Sequence, residues 1–163
     1  MWHALDVTRG PVLIGALTTL LATPALAEAL KSLDTGSSSY TSLESIVSSW
    51  PSTARRAARA MISRYGPPAE VSASRLVWND NGPWKRTVVD RQEVLHNFPF
   101  PHVDVLEQVV TYRVPPDKFD DIAAFDGSLS AERTRGELSS RSETEEMNFL
   151  ASGDTQNRPM RDG

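Results

Sequence analysis

Three side chains that can hold a metal or move a proton fall close together in the chain: His96, His102 and Asp104, with Glu93 and Glu107 nearby. Imidazole and carboxylate are the ligands of zinc-type sites, which need three or four such groups converging with outer-shell support. The spacing His96-x5-His102-x-Asp104 matches no established motif, and Phe98-Pro99-Phe100-Pro101 between the histidines restricts how they can meet. Two surface histidines flanking a hydrophobic strap are the plainer explanation, so no cofactor is expected.

A second charged group, Asp90, Arg91 and Glu93 with Lys85 and Arg86, offers acid–base chemistry on paper. Charges so placed more often form cross-strand pairs on a solvated sheet face. Other reaction classes find no support. There is no Gly-x-Ser-x-Gly elbow and no Ser-x-x-Lys. The glycines are isolated turn residues rather than a phosphate loop. Asp117, Asp120, Asp121 and Asp126 do not follow calcium-loop spacing. Cysteine is absent, which removes disulfides, thiolate ligands and thiol nucleophiles. A formal charge of −4 with no basic block argues against a nucleic-acid partner.

What remains is binding. Trp78 and Trp84, with Arg86, flank the turn of Arg75–Val89, which reads as strand, Asn81-Gly82-Pro83 turn, strand. A tryptophan pair there is either core or an exposed platform for a carbohydrate or peptide, and core is the commoner use. Phe98 and Phe100 alternate with prolines, which favours an extended strap lying across the apolar face of the sheet rather than a hairpin loop. Trp78, Trp84, Arg86, Phe98 and Phe100 are therefore the candidate binding residues.

The elements that must position these groups follow from periodicity. Ser42–Ser49 and Ala54–Tyr65 show helical spacing, interrupted by Pro51. The second helix puts Ala57, Ala58, Met61, Ile62 and Tyr65 on one face and Arg55, Arg56, Arg59 and Arg64 mostly on the other, a solvated stripe. Gly66-Pro67-Pro68 stops it. Val105–Val114 alternates as a strand. A short helix follows Pro115-Pro116-Asp117, with Phe119, Ile122 and Ala123 inward. Ser128–Thr134 and Glu137–Arg141 form a second hairpin about Arg135-Gly136. A last helix over Glu143–Leu150 turns Met147 and Leu150 or Phe149 inward.

At the N-terminus, Pro11–Ala22 has the length of a signal h-region and is followed by Ala25-Leu26-Ala27, an A-x-A cleavage site. The run is too short to span a bilayer, which takes about 20 apolar residues. Export is expected, to the periplasm or beyond, with cleavage after Ala27. Without a lipid-attachment cysteine, no stable membrane anchor is expected after cleavage. Residues 28–39 read as a flexible lead, 40–150 as a single domain and 151–163 as a disordered tail.

Several segments resemble a group of exported bacterial proteins of unknown function. They are Arg64-Tyr65-Gly66-Pro67-Pro68-Ala69-Glu70-Val71, Leu76–Arg86, Tyr112-Arg113-Val114-Pro115-Pro116, Phe119–Asp121 with Phe125–Ser128, and Glu145-Glu146-Met147-Asn148-Phe149-Leu150. The resemblance implies a signal peptide and a periplasmic address and carries no activity. It also implies that the helix continues past Leu150, where this chain turns polar. More loosely, the helix ending in Tyr-Gly-Pro-Pro before Trp78 is similar to the helix–hairpin modules of outer-membrane assembly lipoproteins and β-lactamase-inhibitor-like domains. Those are binding modules with helices on one face of an antiparallel sheet.

The expected fold is α+β, an antiparallel sheet of about four or five strands with the long helix on one face. The expected function is that of a non-enzymatic binding or accessory module contacting a protein, cell-wall or other envelope component. The alternative is a small periplasmic enzyme or metal-dependent ligand binder using His96, His102 and Asp104.

Overall fold

A computed structural model of the chain describes residues 23–25, 28–29, 41–97 and 100–157. The chain divides into two compact units, Met1–Gly36 and Ser37–Gly163. Of the first, only 24–25 and 28–29 are described in helical turns, so the signal peptide and nearly all of the expected lead lie outside the described residues. Among the described residues no helix is long and apolar enough to cross a membrane.

The second unit is α+β. A helix over residues 41–48 (α1) leads into α2 (Ser52–Tyr65). Strands β1 (Glu70–Val71), β2 (Arg75–Asn81), β3 (Trp84–His96) and β4 (His102–Thr111) follow. A 3-10 turn, Pro116–Lys118, opens α3 (Phe119–Phe125), and β5 (Ser130–Glu132), β6 (Glu137–Ser142) and α4 (Glu145–Asn157) complete the order. The six strands form one antiparallel sheet, ordered β1-β2-β3-β4-β6-β5. The sheet has one strand more than the upper expectation of five: β1 is a two-residue edge that sequence periodicity cannot register.

Helix α2 covers β2, β3 and β4 with the stripe its sequence displays. Ala54, Ala57, Ala58 and Met61 are buried against Leu76, Trp78, Val89 and Leu106. The opposite stripe is solvated and paired: Arg56 meets Glu143 at 3.2 Å, and Arg59 meets Glu44. Gly82, at φ +72, and Pro83 make the two-residue turn of β2–β3, and a Cβ on Gly82 would lie 3.4 Å from the Tyr65 ring.

The charged stretch Asp90–Glu93 is a bulge inside β3, where four residues face only Val105 of β4. Its charges have employment there. Asp90 accepts from Arg75 Nε at 2.8 Å, and Glu93 Oε1 accepts the Thr53 and Ala54 amides at 3.0 and 3.3 Å, capping α2 where Pro51 offers no side chain. β3 and β4 stay paired up to His96 opposite His102, on either side of the Phe-Pro segment, of which Phe98 and Pro99 lie outside the described residues. Finally, α4 runs to Asn157, so residues 151–157 are helical rather than tail.

Helix α4 also turns a different face inward. Glu145, Asn148 and Ser152 are buried, at i, i+3 and i+7, while Phe149 and Leu150 are 58% and 69% exposed. The buried face is polar because its partners are. Glu145 Oε1 accepts from Tyr65 Oη of α2, from Trp84 Nε1 of β3 at 2.5 Å and from Gln108 Nε2 of β4 at 3.2 Å. Arg64 lies 2.6 Å from Oε2. Asn148 Nδ2 donates to the Leu106 carbonyl at 3.0 Å and to Gln108 Oε1 at 3.2 Å.

Removing one partner of a buried charge network costs about 3–5 kcal/mol. Glu145→Ala is expected to lose that much stability in urea unfolding, whereas Glu145→Gln, which keeps an acceptor, loses less. Burial first, and then the hydrogen bond and charge of Glu145, raise the Tyr65 phenol from 10.0 to about 12. The folded state therefore holds this proton more tightly, and stability falls as pH climbs from 10 to about 12. In Glu145→Gln the phenolate absorbance should rise at lower pH than in the native chain.

Candidate functional site

The bulge in β3 decides which residues meet at the far end of the β3–β4 hairpin. In the first half of the pairing Val89 faces Leu106 and Arg86 faces Val109. Continued unshifted, that register would set Glu93 opposite His102. The bulge advances β3 so that His96 faces His102 and Val94 faces Asp104 instead. Paired residues share a side of the sheet, and so do residues two apart on one strand. His96, His102 and Asp104 are thereby brought together, while Val103 and Val105 join the core under α2. The end of α3 supplies a fourth group, Asp126.

The three ligand atoms lie within 4.8 Å of one another. His102 Nε2 is 3.3 Å from Asp104 Oδ1, and His96 Nδ1 is 3.6 Å from Asp104 Oδ2. A tetrahedral ion with bonds near 2.1 Å needs ligand atoms about 3.4 Å apart; each imidazole nitrogen stands near that distance from one Asp104 oxygen, His102 from Oδ1 and His96 from Oδ2. The imidazoles sit with ring centroids 4.7 Å apart, inclined at 57°. The side chains of His102, Asp104 and His96 are 5%, 10% and 16% exposed.

The outer contacts orient both rings. His102 Nδ1 is 2.9 Å from the Phe100 carbonyl, which can only accept, so Nδ1 carries the proton and Nε2 is turned toward Asp104. His96 Nε2 looks toward Asp126 Oδ1 at 3.7 Å, leaving Nδ1 on the Asp104 side. Asp126 is held by the Ser128 amide and hydroxyl, both at 2.8 Å. A carbonyl behind one imidazole and a carboxylate behind the other is the outer-shell pattern of metal-ligating histidines.

Inside the cluster, hydrogen bonding is incomplete. His96 Nδ1 and Asp104 Oδ1 are buried without a hydrogen-bond partner. Asp104 Oδ1 is 3.3 Å from His102 Nε2 without a hydrogen bond between them. Burial raises the Asp104 carboxyl above its usual value and the nearby Asp126 charge adds to this, partly offset by the two imidazoles.

The remaining candidates separate. Trp78 and Trp84 are 3% and 1% exposed, so neither presents a platform; their indole N–H groups serve the Gly66 carbonyl at 3.0 Å and Glu145. Arg86 is half-buried and lies 3.4 Å from Glu137, which Lys85 also reaches at 2.8 Å. Asp90, Glu93, Lys85 and Arg86 thus have separate structural partners and form no common site. Phe98 lies outside the described residues. Phe100 is 59% exposed, its ring 6.1 Å from that of His102, and Val94 and Leu95 beside it are 52% and 66% exposed. Asp126, which spacing alone could not connect to His96, is the site residue the sequence reading missed.

Because the folded state protonates Asp104 more readily, its contribution to stability falls as pH rises from 3.8 through the raised value, and the cost persists at neutral pH. Asn at this position keeps the shape, carries no charge and can donate to His102 Nε2. Metal-free Asp104→Asn is therefore expected to be more stable than the native chain at pH 7, by about 1 kcal/mol, and to lose that advantage in acid. Urea unfolding across pH with a chelator present measures both. No protein-family model, no curated protein and no solved structure matches this chain.

Proposed function

We propose that this protein binds a divalent transition-metal ion through His96 Nδ1, His102 Nε2 and the Asp104 carboxylate, at the tip of the β3–β4 hairpin. The observation that carries the reading is the pair of buried, unpartnered ligand atoms, His96 Nδ1 and Asp104 Oδ1, beside an imidazole whose other nitrogen is engaged by a carbonyl. Two imidazoles and one carboxylate suit zinc, cobalt or nickel better than magnesium or calcium, which take all-oxygen shells. Three protein ligands leave a fourth position for water or a substrate group. Asp126 stands close enough to accept a proton from the His96 ring or to steer a group entering that position.

A second reading is favoured by a different observation. Val94, Leu95 and Phe100 form an exposed apolar rim around the same hairpin end. This supports a binding or accessory module that docks through the hairpin tip, with an envelope protein or cell-wall component as the proposed partner. The N-terminal sequence supports the periplasm as the setting. The two readings are compatible, since an ion held at the tip would stiffen the loop that carries Phe100.

Titration of the chelator-treated full chain with Zn²⁺, followed by calorimetry and thermal unfolding, tests the metal reading. One ion per chain is expected, with stabilisation of about 2.7 kcal/mol at a hundredfold excess over Kd. His102→Ala and Asp104→Asn should abolish binding, and Phe100→Ala should retain it. Binding unchanged in both ligand variants, or no binding by a folded native chain, would reject the site.

A further inference from the structure

A different cavity, of about 610 Å³, lies at the other end of β4, lined by Arg113, Val114, Pro115, Pro116, Arg133 and Thr134. Its volume is in the range of small-molecule sites. The segment leaving β4 and the β5–β6 turn build it together, joined by the Tyr112 amide donating to the Gly136 carbonyl at 2.9 Å. Gly136 takes φ +63 in that turn, and the Arg113 side chain lies over it: a Cβ there would be 3.7 Å from Arg113 Nε. Arg113 thus lines the cavity from the β4 side, and Arg133, next to the β5–β6 turn, lines it from the other.

Charge is what distinguishes this cavity. In a chain of formal charge −4, Arg56, Arg59, Arg64, Arg75, Arg86, Arg135 and Arg141 each face a carboxylate. Among the described residues, Arg113 and Arg133 form no ion pair or hydrogen bond through their side chains. The acid of their own turn, Glu132, is taken by Arg135 at 3.5 Å. No carboxylate lines the cavity. Pro115 and Pro116 line the same cavity and bring ring carbons and no amide N–H. Thr134 adds a hydroxyl.

We propose that this cavity binds a small organic anion, a phosphate or carboxylate carried on an apolar body. The two guanidinium groups take the oxyanion, for which their planar donor forks are suited, and the Pro115–Pro116 wall takes the apolar part. The site is independent of the metal cluster.

Phenyl phosphate, inorganic phosphate and phosphatidylglycerol vesicles, titrated against the full chain at low salt, test it. Phenyl phosphate should bind saturably and more tightly than inorganic phosphate, and weaken as salt is added. Arg113→Gln and Arg133→Gln should each weaken it at least about tenfold, the effect of losing a charge-assisted hydrogen bond. Both residues are exposed, so the unfolding midpoint of each variant should match the native chain and confirm that folding is intact. No saturable binding, equal binding by both variants, or binding to vesicles alone overturns the assignment.

Discussion

The carboxylate of Glu145 is the point on which the packing of this domain depends. It is buried at the first turn of α4 and takes donors from α2, β3 and β4, with Arg64 closing the charge balance. The Trp84 indole N–H is a buried donor bonded to it, and leaving such a donor unpaired costs more than forming the bond gains. The carboxylate therefore specifies geometry more than it adds stability. It fixes the depth at which Tyr65 enters, the side on which Trp84 lies and the rotation of α4 about its own axis. Gln108 extends the same network to Thr87 at 3.4 Å and to Asn148. The sheet and both long helices are locked in one arrangement around it.

That arrangement explains what could be read from the chain and what could not. The α2 stripe of Ala57, Ala58, Met61 and Tyr65 was legible because an apolar core wrote it at a period of 3.6. The Arg75–Val89 hairpin was legible because Gly82-Pro83 allows few turns. Helix α4 was misread because hydrophobic periodicity assumes an apolar buried face. Here the inward residues are Glu145, Asn148 and Ser152, and the apolar Phe149 and Leu150 are left outside. A polar stripe at i, i+3 and i+7 becomes recognisable as core only once its donors on three other elements are known. Those donors are up to 80 residues away in the chain.

The candidate metal cluster was half legible for a related reason. Its three residues were visible as a chemical set, but their convergence depends on the length of a bulge. In sequence, Asp90–Glu93 reads only as charges on a sheet face, which does not disclose a bulge. Asp90 is taken by Arg75 and Glu93 by the amides at the start of α2. With the bulge in place, register sets His96 opposite His102. Asp126 arrives from α3, an element whose placement no local pattern encodes.

Glu145 and Asp104 sit in different surroundings. Three donors bond one oxygen of Glu145, and the Arg64 guanidinium stands at the other. Asp104 is buried beside two imidazoles and a further carboxylate, with one oxygen unpartnered. Folding tolerates the second environment because β3 and β4 are paired along most of their length, and the Glu145 network anchors them at the opposite end. A chain selected only for stability would relieve Asp104 with an amide or an apolar residue. Retaining an acid there is a cost to the isolated fold, of the kind found where a site must meet a charge from outside. Pairing of β3 with β4 holds His102 Nε2 at 3.3 Å from one Asp104 oxygen and His96 Nδ1 at 3.6 Å from the other, and the proposed cation site rests on that preorganisation.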